Sequence, residues 1–200
     1  MPSLSQQPGR RERNKLEKLE RITAAASELF AEHGIEDVTT QQIADKADIG
    51  TGTLFLYAKT KGELLLLVQN AHYALALERG QAAAEKTPDV LGAVLAILTP
   101  IVECNRVQVE NGRTYLREMV FGDPAEPRHA EALGIVAETQ EAVAKILGRH
   151  ERIGENEATT LAGVVSAVMF LAMAASINAQ RSTDEVIGAI RAQVSAILPR

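Results

Sequence analysis

The chain is short of the residues that cross-link or stiffen small folds. Its 200 residues include one cysteine, Cys104, no tryptophan, and only 4% aromatic side chains. A single cysteine excludes an intrachain disulfide and any zinc site built on cysteine clusters. Few aromatics set against 31 alanines disfavour strands and favour closely packed helices. An excess of positive charge is missing as well: 21 Lys and Arg stand against 26 Asp and Glu, a formal net charge of −5. That balance argues against a uniformly basic nucleic-acid coat or a polybasic membrane binder. The N-terminal stretch from Met1 to Arg13 is polar and basic and lacks the apolar run of a secretory signal, so a cytoplasmic location is expected. The longest apolar run, Leu161 to Ala179, is long enough to span a membrane but carries Ser166, Ser176 and Asn178. It has no basic flank or aromatic belt, so a buried helix and no membrane partner are expected.

What is present is helical punctuation. Ile22, Ala25, Ala26, Leu29 and Phe30 mark one face of a first helix ending at His33, where Gly34 can take a positive φ. Thr39-x-x-Gln42, Thr60-x-x-Glu63 and Ser182-x-x-Glu185 have the capping-box spacing. Thr87-Pro88 reads as the start of another helix, Pro100 as a kink or break, and Asn111-Gly112 and Asp123-Pro124 as turns. The class expected is all-α, with a helix-turn-helix domain over residues 1–60 and a helical domain over 61–200. Charge is divided in the same sense. Residues 1–21 carry a net charge of +3 and residues 71–200 a net charge of −4.

Between Thr39 and Tyr57 a short capped helix, the turn Asp48-Ile49-Gly50 and a second short helix follow one another. Ile43, Ala44, Ala47 and Leu54 face inward, and the small alanines let the two helices approach closely. This is the spacing of a helix-turn-helix, although a corner in an unrelated bundle has it too. The start of the second helix suits DNA: Thr51 and Thr53 offer hydroxyls and methyls, while Gly50 and Gly52 add little bulk. Tyr57 and Lys61 can reach phosphates. Gly50-Thr51-Gly52 is not a nucleotide loop, because Phe55 stands where a third glycine belongs and no strand precedes it.

The stretch Leu19 to Leu66, with its core ITAAASELFAEHGIEDVTTQQIADKADIGTGTLFLYAKTKGELL, resembles the DNA-binding domain of the TetR family of transcriptional regulators. The resemblance implies phosphate contact by Thr40, Tyr57 and Lys61, and base or phosphate contact by Thr51, Gly52 and Thr53. Three departures stand out. Phe55 replaces a frequent Tyr, Leu56 a frequent Tyr or His, and Ala58 a usual Phe, a gap that Leu56 or Leu65 would have to fill.

For the remaining chain the resemblance implies sensing of a small-molecule effector and formation of a homodimer. Val102, Cys104, Arg106, Tyr115, Arg117 and Met119 are candidates for the pocket. Leu161, Val164, Val165, Val168 and Ala172, with Val186, Ile190 and Val194, recur at helical spacing and are candidates for a two-fold interface through the last two helices. His33, His72, His129 and His150 are scattered, no nucleophile is paired with a base, and neither metal, cofactor nor catalysis is expected. The expected function is a dimeric regulator, in the first instance a repressor, released from a palindromic DNA operator by a ligand. The alternative is a small-molecule-binding or scaffold protein of the same fold that reads no specific DNA.

Overall fold

A computed structural model describes residues 9–123 and 125–199. Pro124 of the expected Asp123-Pro124 turn and the first eight residues of the N-terminal stretch lie outside them. The described residues are all-helical: α1 (Arg10–His33), α2 (Thr40–Lys46), α3 (Thr51–Leu54), α4 (Lys61–Ala84), α5 (Val90–Arg106), α6 (Val109–Phe121), α7 (Pro127–Leu147), α8 (Glu155–Ala174) and α9 (Thr183–Ile197). A 3-10 turn at Ser176–Asn178 links the last two. The chain packs as two compact units divided between Val68 and Gln69. The division thus falls inside α4 rather than at its start, because Leu64, Leu65, Leu66, Leu67 and Val68 form a continuous buried run.

In the first unit, Ile22, Ala25, Ala26 and Phe30 of α1 are buried at helical spacing. Gly34 ends the helix with φ 77° and ψ 155°, a positive-φ conformation that glycine alone adopts at little cost. Thr39 opens α2 with a complete capping box: its hydroxyl accepts from the Gln42 N–H, and the Gln42 side chain accepts from the Thr39 N–H at 2.7 Å. At α4 the box is shifted. Thr60 Oγ1 accepts from the Glu63 N–H at 3.0 Å, but the Glu63 carboxylate takes the Lys59 N–H at 2.6 Å.

In the second unit, α5 packs against α6, α7, α8 and α9, and α8 packs most extensively on α7. Two expected boundaries move. Thr87 closes α4 by donating to the Ala83 carbonyl at 3.0 Å, and Asp89 caps α5 by accepting from the Gly92 N–H at 2.6 Å. Pro100 sits inside an unbroken α5; the chain turns by 110° at Val107–Gln108 instead. Asn111-Gly112 is correspondingly not a turn but part of α6. Gly112 is there because the corner brings α6 onto the end of α5: a Cβ at this position would lie 2.1 Å from the Asn105 carbonyl oxygen. At the far end, Ser182 and Glu185 form the expected capping box, and these hydrogen bonds hold the Glu185 carboxyl below its ordinary range.

Helix α8 is long and apolar enough to cross a membrane by length and composition, but it is not the buried helix expected from its sequence. Only 33% of its apolar window is buried, leaving a face uncovered by the chain itself. Val165 and Ala172 of α8 and Val186, Ile190 and Val194 of α9 are buried in their own subunit. Their side chains are taken up in packing within the subunit, whereas the regular apolar spacing had suggested that they meet a second copy. Leu161 and Val168 are half-buried, and Val164 is 41% and Leu171 66% exposed.

Candidate functional site

In the first unit the motif is held by hydrogen bonds among its own polar side chains. Thr51 Oγ1 donates to Gln41 Oε1 at 2.6 Å, and Gln41 Nε2 donates to Asp45 Oδ1 at 2.7 Å, so the start of α3 is tied to the exposed side of α2. Ile43, Ala44, Ala47 and Leu54 fill the space beneath. The turn between them places Asp48 at φ 53°, a left-handed conformation that Asp tolerates. Arg21 of α1 steadies that turn, 3.5 Å from both the Asp48 carboxylate and its carbonyl.

This packing leaves Thr40, Thr51 and Thr53 half-buried and Gly52 exposed along one edge of the motif. Nothing lies within 4 Å of where a Cβ would stand at Gly50 or Gly52, so neither glycine is required by internal packing. A bare backbone at this edge lets a phosphate or base approach closely. Tyr57 reaches back to α1, its hydroxyl donating to the Lys15 carbonyl at 3.4 Å. Lys61 Nζ donates to the carbonyls of Ile35 (2.8 Å) and Glu36 (3.2 Å), leaving one of its three N–H donors. Leu56 is 83% exposed and so does not fill the space beside the buried Ala58, whereas Leu65 is buried. Phe55, at 45%, is the second large apolar side chain exposed here. Along α1, Arg10, Arg11, Arg13, Lys15 and Lys18 are exposed, with no carboxylate partner among the described residues.

The second unit contains a cavity of about 300 Å³ walled by α4, α5, α6, α7 and α8. Of the six pocket candidates only Tyr115 and Met119 line it. Val102 is core, and Arg117 is exposed beside Glu118. Arg106 is buried elsewhere and donates to the carbonyls of Asn178 (3.3 Å) and Arg181 after the 3-10 turn. Cys104 does not line the cavity either, and burial pushes its thiol up to about 11. Below that value it is a thiol rather than the nucleophilic thiolate. Alkylation of Cys104 in the folded protein at pH 8 is therefore expected to be at least tenfold slower than after denaturation, as followed by maleimide labelling.

The side of the cavity that sequence spacing missed comes from α7 (Ala132, Ile135, Val136, Thr139, Gln140) and α8 (Gly163, Ser166, Ala167, Met169, Phe170, Met173). Its floor is a pair of stacked tyrosines, Tyr73 and Tyr115, with ring centroids 4.4 Å apart. Tyr115 donates to Asn70 Oδ1 at 2.9 Å, and Tyr73 accepts from Asn105 Nδ2 at 2.7 Å. Asn70 in turn donates to the Arg128 carbonyl and to Glu131 Oε2. Desolvation pushes both phenols well above their ordinary range, so the floor stays uncharged. The only signals in the sequence were the half-exposed apolar and amide positions of α7, which a helix-by-helix reading treats as surface. Just before α7 the Glu126 carboxylate caps the helix by accepting from the His129 N–H at 2.8 Å. Among the described residues no group of three or more metal-ligating side chains gathers.

Residues 22–68 match the family model of the bacterial regulatory proteins of the tetR family. No curated protein matches the chain. Among solved structures, it is similar to Thermus thermophilus FadR, a TetR-family transcriptional repressor in complex with lauroyl-CoA, at 19% identity and a TM-score of 0.67 over 91% of this chain and 96% of that one. A TetR transcriptional regulator from Rhodococcus sp. RHA1 gives 17% identity and a TM-score of 0.69 over 92% and 97% of the two chains. A TetR-family regulator from Streptomyces coelicolor gives 22% identity and a TM-score of 0.64 over 92% and 95%. At these identities the shared property is the fold.

Proposed function

We propose that this chain, whose residues 22–68 match the family model of the tetR-family bacterial regulatory proteins, is a ligand-responsive, DNA-binding transcriptional regulator acting in the cytoplasm. The observation that carries the proposal is the edge of α3: Thr51, Gly52 and Thr53 face outward from a motif whose Ile43, Ala44, Ala47 and Leu54 are buried beneath it. Two copies would place this edge in successive major grooves, with half-sites about 34–36 Å apart or a multiple of that. The exposed cations of α1 supply phosphate attraction that the overall charge of −5 conceals.

Dimerisation would use the outward faces of α8 and α9. Leu161, Val164, Val168 and Leu171 present apolar surface, and Gly188 of α9 has nothing within 4 Å of a Cβ position, leaving room for close approach. A two-fold axis would place this surface against itself and bury any substitution there twice. Val164→Arg is accordingly expected to shift the protein from dimer to monomer at micromolar concentration, as measured by light scattering, and to weaken DNA binding with it. A ligand in the cavity would favour one arrangement of the dimer over another and release the operator, repression being the mode typical of the family. The lauroyl-CoA bound by the Thermus thermophilus repressor supports a ligand-accepting second unit.

Mobility shifts on DNA flanking the protein's own gene, at low salt and without ligand, test the reading. Retardation of a palindromic fragment is expected; failure to retard any such fragment overturns it. The exposed Phe55 and Leu56, where polar contacts are frequent in the family, favour the second reading, a binding protein of this fold that reads no specific DNA.

A further inference from the structure

The cavity in the second unit defines the chemistry of what it can hold. None of its sixteen lining residues is charged. On the floor the Tyr115 hydroxyl donates to Asn70, the Tyr73 oxygen accepts from Asn105 and keeps its own O–H, and Thr139 Oγ1 donates to the Ile135 carbonyl at 2.8 Å. The polar lining side chains with no hydrogen bond to any described residue are Gln140 of α7 and Ser166 of α8. Both are half-buried, as expected of groups at a rim rather than in a core. Met119, Met169, Met173 and Phe170 make the walls adaptable in shape without making them polar.

We propose that the effector is a neutral, largely apolar molecule of about ten non-hydrogen atoms, carrying one uncharged hydrogen-bonding group that meets Gln140 and Ser166. The size follows from about 300 Å³ at roughly 30 Å³ per atom, the share of volume a water takes in the liquid. Neutrality follows from desolvation. A carboxylate or ammonium brought into a cavity without a counter-charge loses its hydration with nothing in exchange, whereas a hydroxyl needs only one partner. The single polar group follows from the pair at the rim, which offers a hydroxyl and an amide and no fixed charge. The inference deepens the reading of the chain as a ligand-responsive regulator.

The test uses the full chain and ten-carbon probes: 1-decanol, decanoate, decylammonium and naphthalene. Tyrosine emission reports binding directly, because the chain has no tryptophan and two of its three tyrosines form the floor of the cavity. Decanol is expected to bind saturably at pH 7.5, and decanoate and decylammonium at least tenfold more weakly. The Gln140→Ala, Ser166→Ala double variant is expected to lose about five- to tenfold in decanol affinity while keeping its affinity for naphthalene, which has no group to hydrogen-bond. Equal affinity for decanoate and decanol overturns the proposal, as does the absence of saturable decanol binding. An equal loss of both ligands in the double variant overturns the role given to Gln140 and Ser166. Mobility shifts with and without decanol separate the two levels: decanol bound without release of DNA supports the ligand class and counts against the regulatory reading, and specific DNA retarded by a protein that does not bind decanol does the reverse.

Discussion

Replacing Thr51 and Thr53 together by alanine is expected to weaken binding to the proposed operator by about 10- to 100-fold while leaving the proposed dimer intact. Each threonine presents a hydroxyl and a methyl at the open edge of α3, and a single neutral contact of this kind contributes about 1 kcal/mol. The two positions are not equivalent. Thr51 already donates to Gln41 at 2.6 Å, so removing its hydroxyl also unties α3 from α2, at a cost of about 1 kcal/mol. Thr51→Ser keeps that hydrogen bond and removes only the methyl, separating a lost base contact from a loosened motif. Mobility shifts with specific and scrambled fragments give the comparison, and light scattering checks the dimer. Specific binding unchanged in the double variant would move the contact surface elsewhere on the first unit.

The second large effect lies in the other unit. Gly112→Ala is expected to destabilise it by at least about 2–3 kcal/mol, since a Cβ would stand 2.1 Å from the Asn105 carbonyl oxygen and 2.8 Å from Asn105 side-chain atoms. Backbone cannot give way as a flexible side-chain end can, so the corner between α5 and α6 must open. Asn105 would move with it, and its hydrogen bond to Tyr73 would be strained, which carries the damage to the floor of the cavity. Gly134→Ala is the matched control. Gly134 is exposed on α7 with nothing within 4 Å of its Cβ position, so alanine there should stabilise by about 0.5–1 kcal/mol through helix propensity alone. Urea denaturation followed by circular dichroism measures both. A Gly112→Ala protein as stable as the parent would mean that the two helices can separate at no cost.

Both substitutions bear on how much of the molecule its sequence discloses. Thr39 with Gln42 and Ser182 with Glu185 close hydrogen bonds within four residues, and a pattern that short survives whatever packs around it. The helix-turn-helix was legible for the same reason: Ile43, Ala44, Ala47 and Leu54 meet across one turn, and what faces outward is what remains. Asn111-Gly112 and Pro100 have local signatures as clear, yet neither ends a helix. Glycine permits a turn and also permits close contact, and only the approach of Asn105 decides between them.

Amino-acid sequence by itself determined the helical class, most of the caps, and the helix-turn-helix whose outer edge is proposed to face DNA, because each depends on neighbours in the chain. Which stripe of α8 and α9 faces inward was left to tertiary structure. Val165 and Val164 are the same residue one position apart; one is fully buried in the subunit and the other lies on its outer face. The cavity was decided in the same way. Tyr115 and Met119 belong to it while Val102 and Arg106 do not, since membership depends on how five helices meet, and periodicity gives each helix an apolar face without naming what that face will touch.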